Sequence, residues 1–162
     1  MRFSRGGATE AVVDRIDEKI LRALQADARL TNAALAEQVG LSPSACLVRT
    51  RRLEAEGYLL SYHARLAVER LRPTVIVYAE VTLKRHHPDD FLVFETAIAD
   101  LPEVIEAAQV SGPFDYFLKV CARDVLSWRE LADSLLRSEL GVDKIATHIL
   151  MKETKPFVGY PL

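Results

Sequence analysis

The sequence predicts an α+β chain: an N-terminal head of three helices and a C-terminal body of order β-α-β-β-α-β. Three observations predict it. Residues 35–54 read as two short helices joined at Gly40, the second carrying Arg49, Arg51 and Arg52. After Pro73 the apolar period changes from helical spacing to strict alternation. Two strand-helix-strand halves then follow one another, the first helix closing at Leu101-Pro102 and the second at Leu140-Gly141.

The head begins with a helix over residues 14–26, where Val13, Ile16, Ile20 and Leu24 recur at helical spacing and Leu21 widens the stripe. Thr31 or Asn32 caps a second helix running to Val39. Gly40 supplies the left-handed backbone that ends it sharply. Ser42 then caps a third helix over residues 43–56, with Pro43 at the first position, where no N–H is needed, and Gly57 at its end. On this helix Cys46, Thr50, Leu53 and Gly57 share the core side, with Thr50 expected as a packing residue. Ser44, Val48, Arg51 and Arg52 point roughly the other way, and Arg49 lies at the flank. This is the layout of a DNA-reading helix-turn-helix, with Ser42, Ser44, Arg49, Arg51 and Arg52 expected near phosphates or base edges. The competing reading is a solvated basic face on an ordinary helix. Residues 58–62 are expected as a short strand, which makes the head a winged-helix type of unit.

Size and charge bound the partners. A chain of 162 residues, 49% apolar, holds one domain or two small ones. No apolar run approaches the roughly 20 residues of a membrane span. Residues 1–10 contain no apolar stretch of signal-peptide type, so a cytoplasmic location is expected. Net charge is −2, which alone does not suggest nucleic acid. Its distribution is more useful, because residues 1–65 carry ten Lys/Arg against eight Asp/Glu and residues 66–162 carry eleven against fifteen. A mildly basic head on an acidic body fits a DNA-binding module joined to a different kind of domain. Cys46 and Cys121 each sit in an apolar pattern and read as reduced, buried thiols rather than a disulfide or metal pair.

In the body, residues 75–84 alternate as a long strand. Pro88 opens a helix whose apolar face is Phe91, Phe94, Ile98 and Leu101, with Asp89 and Asp90 in its first turn. Residues 104–110 and 116–122 are strands flanking a turn-rich loop, residues 111–115. Asp124 caps the next helix, whose face is Val125, Trp128, Leu131 and Leu135, and residues 145–152 form the last strand. The tail from Thr154 onward is expected as irregular chain. This order is the split βαβ, or ferredoxin-like, arrangement, with both helices on one sheet face. The other face is expected to show apolar side chains from four strands, so that face or an edge should pack on a second subunit. The expected boundaries are a helix-turn-helix domain over 11–63, a linker over 64–73 and a body over 74–153.

His86 and His87 read as loop histidines, because no further His or Cys lies at ligand spacing. His148 is either a ligand contact or a sheet-surface residue. The sequence carries no Ser-His-Asp signature, phosphate loop or paired metal motif, and no metal or cofactor is expected.

Taken together, Asp14-Arg15-Ile16-Asp17, Val39-Gly40-Leu41-Ser42-Pro43, Arg51-Arg52-Leu53-Glu54 and Val110-Ser111-Gly112 followed by Phe114-Asp115-Tyr116 make the chain similar to the leucine-responsive regulator/AsnC (Lrp/AsnC, feast-or-famine) family of transcription regulators. The resemblance spans residues 13–153. It implies an amino-acid-sensing, DNA-binding homo-oligomer, a dimer that assembles further, often to an octamer. It also implies a small amino-acid effector held between subunits near Gln109, Ser111, Gly112, Pro113, Phe114, Asp115 and Tyr116, with Val125, His148 and Leu150 nearby. Backbone N–H groups of the glycine loop can hold a carboxylate and Asp115 an ammonium group. Pro113 stands where many members have an aspartate, which removes a charge and a backbone donor. The competing reading is a tight turn in which Asp115 satisfies local N–H groups. Two other functions compete: an enzyme resembling the sirohaem decarboxylases, which share this architecture, and a metabolite-binding assembly protein without a DNA role. The intact arginine-bearing helix favours DNA.

Overall fold

The computed structural model describes residues 13–162. The readings made on residues 1–10, and residues 11 and 12 at the start of the expected head domain, lie outside the described residues. The chain divides into two compact units, one ending at Arg65 and taking in Lys155–Leu162, the other Leu66–Thr154.

The head holds α1 (Arg15–Ala26), α2 (Asn32–Val39) and α3 (Pro43–Ala55). Asp14 caps α1 in a reciprocal box: its carboxylate accepts the Asp17 N–H, and the Asp17 carboxylate accepts the Asp14 N–H. The Thr31 hydroxyl caps α2, and Gly40, at φ 75° and ψ 40°, ends it. The Leu41 N–H then reaches back to the Ala36 carbonyl at 2.9 Å, closing the left-handed C-cap and fixing the turn into α3. Ile20, Ala23, Leu24, Leu35, Ala36, Val39, Cys46 and Leu53 make one buried core. Thr50 is half-buried and donates its hydroxyl to the Cys46 carbonyl at 3.0 Å, so it packs as expected while satisfying itself locally.

The strand expected at residues 58–62 does not form. Gly57 takes a left-handed φ of 76°, and the Tyr58 and Leu59 N–H groups both bond the Leu53 carbonyl. A strand needs a neighbour for its alternate polar groups, and the described head offers none. The tail packs as irregular chain, as expected. Gln25 donates to the Tyr160 carbonyl at 2.8 Å and accepts the Tyr160 N–H at 2.7 Å.

The body contains β1 (Val75–Leu83), α4 (Pro88–Ala99), β2 (Val104–Gln109), β3 (Tyr116–Ala122), α5 (Val125–Arg137) and β4 (Val142–Ile149). The sheet order is β2-β3-β1-β4, with every pairing antiparallel. Val77, Ala79, Val81 and Leu83 of β1 and Tyr116, Leu118, Val120 and Ala122 of β3 face Phe94, Ile98 and Trp128 in a single core. The Trp128 indole N–H donates to the Thr147 hydroxyl at 3.1 Å. Of the cysteines, Cys46 is buried and Cys121 half-buried.

Three expectations shift. β4 starts at Val142, three residues early, because Val142 pairs with Leu83 and is buried, and it stops at Ile149. Val125, the first residue of α5, is exposed rather than part of its apolar face. The open sheet face is not uniformly apolar. Tyr78 stacks on Phe117 at 5.5 Å between centroids, but beside them His148 meets Glu80 at 3.1 Å and Lys119 meets Glu106 at 3.8 Å. The even-numbered positions of β1 alternate Ile76, Tyr78, Glu80 and Thr82, so polar pairs interrupt the patch.

Candidate DNA-reading helix and effector loop

At about 100° per residue, α3 buries Cys46 and Leu53 on one side and turns Ser44, Val48 and Arg51 to the opposite side. Thr50 and Leu47 flank the core on one hand, Arg49 and Arg52 on the other. The two flanking arginines are not free. Arg49 donates to Asp14 at 2.7 Å and to Asp17 at 2.9 Å, and Arg52 donates to Asp17 at 2.6 Å and to Glu56 at 3.0 Å. Asp17 is only 1% exposed, the one buried charged side chain among the described residues. Its carboxylate therefore bridges two guanidiniums while also capping α1. The Asp17 N–H and the Arg49 guanidinium pull the Asp14 carboxyl down from 3.8 to about 2, and the same carboxylates hold both arginine pKa values above the ordinary range.

Arg49 and Arg52, expected at DNA, face the N-terminus of α1. Arg51 is exposed and makes no ion pair or hydrogen bond among the described residues. Ser42 spends its hydroxyl as the helix cap, accepting from the Ala45 N–H at 3.3 Å, and lies 3.2 Å from the Ser44 hydroxyl. Asp14 and Asp17 were missed as site residues. The available signal was an Asp-x-x-Asp helix start together with arginines three apart on another helix of the same head.

In the body, residues 110–115 form a loop closed by the Val110 N–H on the Asp115 carbonyl at 2.9 Å. The Asp115 N–H bonds the Val81 carbonyl at 2.9 Å, and its carboxylate accepts the Leu83 N–H at 2.8 Å and sits 3.0 Å from His86 Nε2. Asp115 thus accepts the Leu83 N–H and meets His86 within the chain. That His86 contact was missed; the antiparallel pairing of Val81 with Tyr116 brings the residues after β1 beside Asp115. Gly112 takes φ 142°, a conformation suited to glycine. Pro113 is exposed, and Phe114 lies 6.1 Å from the Phe117 ring.

The remaining expected effector residues do not converge. Tyr116 is buried, and its hydroxyl donates to Glu95 at 2.9 Å, while burial and Glu95 push its pKa up. Its ring is part of the body's core. Gln109 and Ser111 lie at the Val81 end of β1, because Gln109 pairs with Tyr116 and Tyr116 with Val81. Leu150 donates its N–H to Ile76, and Val125 follows Ala122, the partner of Val75, so both lie at the other end. Six strand residues, about 20 Å, separate the groups. His148 sits between them opposite Tyr78, its imidazole on Glu80. Among the described residues no group of three His, Cys, Asp or Glu is placed to hold a metal.

Comparison with known proteins agrees with this two-part geometry. Residues 13–59 match the model described as winged helix-turn-helix DNA-binding, and residues 76–159 match the Lrp/AsnC ligand binding domain. The chain is 43% identical over 143 residues to the leucine-responsive regulatory protein of Escherichia coli K12, covering 88% of this chain and 87% of that one. The corresponding Salmonella typhimurium protein is 42% identical over the same length, with the same coverage. A transcriptional regulator from Neisseria meningitidis, solved with L-Met, superposes with a TM-score of 0.83 at 32% identity, covering 93% of this chain and 97% of that one. An AsnC family transcriptional regulator from Agrobacterium tumefaciens gives 0.80 at 29%, covering 91% and 96%. A capped α3 presented on a helix-turn-helix head, a βαββαβ body and matches across both units place this chain in the Lrp/AsnC family of DNA-binding transcription regulators.

Proposed function

We propose that this protein binds specific DNA through α3 and responds to a small amino acid bound by its body in the cytoplasm. The observation that carries the DNA half is α3 itself: a capped helix whose outward stripe offers Arg51, which makes no ion pair or hydrogen bond among the described residues, and Ser44, bonded only to the neighbouring Ser42 hydroxyl. Arg51, with Ser42 and Ser44 at the helix N-terminus, contacts DNA directly. Arg49 and Arg52, expected there too, act by locking α3 against Asp14 and Asp17, which sets the angle at which Arg51 is offered.

For the effector half, the supporting observation is separation. Gln109, Ser111, Gly112, Pro113, Phe114 and Asp115 lie about 20 Å along the sheet from Val125 and Leu150. A single amino acid spans less than half of that. We therefore assign the effector to a junction between copies, where the loop of one meets the far sheet end of another, within a homodimer that assembles toward an octamer. No enzymatic step is part of this reading; the curated relatives carry regulator names.

The test is fluorescence anisotropy against DNA from upstream of the protein's own gene, with scrambled DNA as control at about 0.15 M salt, where non-specific phosphate contacts are weakened. Binding at least ~10³ tighter than to the scrambled fragment supports the reading. Equal weak binding to both, repeated on fragments selected from random DNA, overturns it. Amino acids are then screened for displacement of the curve.

A further inference from the structure

The outward face of α3 carries an apolar side chain that the fold does not use. Val48 is 69% exposed, while Leu47 next to it is 38% exposed and turns toward a cleft lined by Leu24, Leu35 and Tyr62. The core contacts of α3 are made by Cys46 and Leu53 on the opposite side. Val48 does not serve helix formation either, because its β-branch lowers helix propensity. It lies one turn after Ser44 and three residues before Arg51, in the middle of the stripe that the DNA reading places against the major groove. With Arg49 and Arg52 withdrawn onto Asp14 and Asp17, the centre of that stripe is an isopropyl group rather than a charge.

In the major groove the apolar feature of a base pair is the 5-methyl group of thymine, and apolar side chains are its natural complement. A helical valine has one strongly preferred χ1 rotamer, so its methyl groups are held in a fixed direction and can read position as well as polarity. We propose that Val48 is a specificity-determining residue that packs against the 5-methyl group of a thymine in each half-site. This rests on the DNA-binding reading above and deepens it: Arg51 and Ser44 supply polar contacts, and Val48 selects the base between them.

The experiment uses the full-length protein and DNA enriched by it from a random-sequence library at about 0.15 M salt. Each thymine of the enriched site is replaced in turn by deoxyuridine, which deletes the methyl group and leaves every hydrogen-bonding group. Wild-type protein should lose about fourfold in affinity at one position per half-site, the equivalent of one buried methyl. Val48→Ala, which removes an exposed side chain and should leave the melting temperature unchanged or slightly raised, should bind the thymine site more weakly and become indifferent to deoxyuridine there. Arg51→Ala should weaken binding yet keep the deoxyuridine penalty.

Indifference of the wild type to every replacement would overturn the proposal while leaving specific DNA binding intact. Persistence of the penalty in Val48→Ala would assign the methyl to another residue and overturn it equally. A change in the assembly's mass in Val48→Ala, with base preference unchanged, would make Val48 a protein contact instead. Failure of any sequence to be enriched would overturn the DNA-binding reading and this one with it.

Discussion

Asp17 receives the Asp14 N–H and two guanidiniums on one carboxylate that solvent scarcely touches. Desolvating it is tolerable only because those donors occupy its lone pairs. Asp17→Ala leaves Arg49 and Arg52 without their shared partner and removes half of the α1 capping box. It should cost about 2–3 kcal/mol, below the range for fully buried pairs because both arginines keep some solvent. The urea midpoint checks this. Arg51→Ala should leave that midpoint in place and weaken specific DNA binding by about tenfold or more. Arg49→Ala and Arg52→Ala should lower the midpoint, which separates positioning arginines from a contacting one. Asp14 adds a pH signature. Its folded pKa of about 2 lies below the ordinary 3.8, so its contribution is fully present above pH 4 and is lost as pH falls through 2. Asp14→Asn should flatten that part of the melting-temperature profile between pH 5 and 2.

At the scale of elements, the turn between α2 and α3 sets how the reading helix is presented. Gly40 is left-handed, yet a Cβ built there meets nothing within 4 Å. Gly40→Ala should therefore cost about 1 kcal/mol from backbone strain alone, measured by urea denaturation, with no clash to add. A loss of several kcal/mol would show that the turn cannot relax. Gly159 is the contrasting case, because a Cβ there runs into the Gln25 side chain that holds the tail. Element types were legible because each apolar stripe had enough length to show its period, as in α1 and β1. Ends were less so: β4 begins where Val142 finds Leu83, a long-range pairing that local composition does not encode.

For the whole molecule, the homo-oligomer proposed above puts the stacked Tyr78 and Phe117 of the open sheet face at the centre of its contact, with His148–Glu80 and Lys119–Glu106 around them. Phe117→Glu should dissociate the assembly, read by sedimentation equilibrium, while the helix-and-sheet circular dichroism is kept. Calorimetric binding of the amino acid that shifts the DNA curve should disappear in the same variant, because its effector residues then stay about 20 Å apart. Retained binding in a monomer would place the effector within one chain.

The sequence by itself determined the α+β class, the helix-turn-helix and its caps, the alternation of β1 and β3, and the glycine loop before Asp115. These follow from periodicity, capping chemistry and turn residues, all written within a few positions of one another. The family resemblance also lay there, in motifs spread over the chain. Only the tertiary structure decided which charges are spent internally. Three arginines within four residues look equivalent in sequence, but the packing of α1 against α3 turns two of them onto Asp14 and Asp17 and leaves Arg51 without an ion pair among the described residues. The same holds for Asp115, claimed by Leu83 and His86, and for Tyr116, claimed by the core. Partner choice among like residues depends on distances across the fold, and one-dimensional spacing carries no record of them.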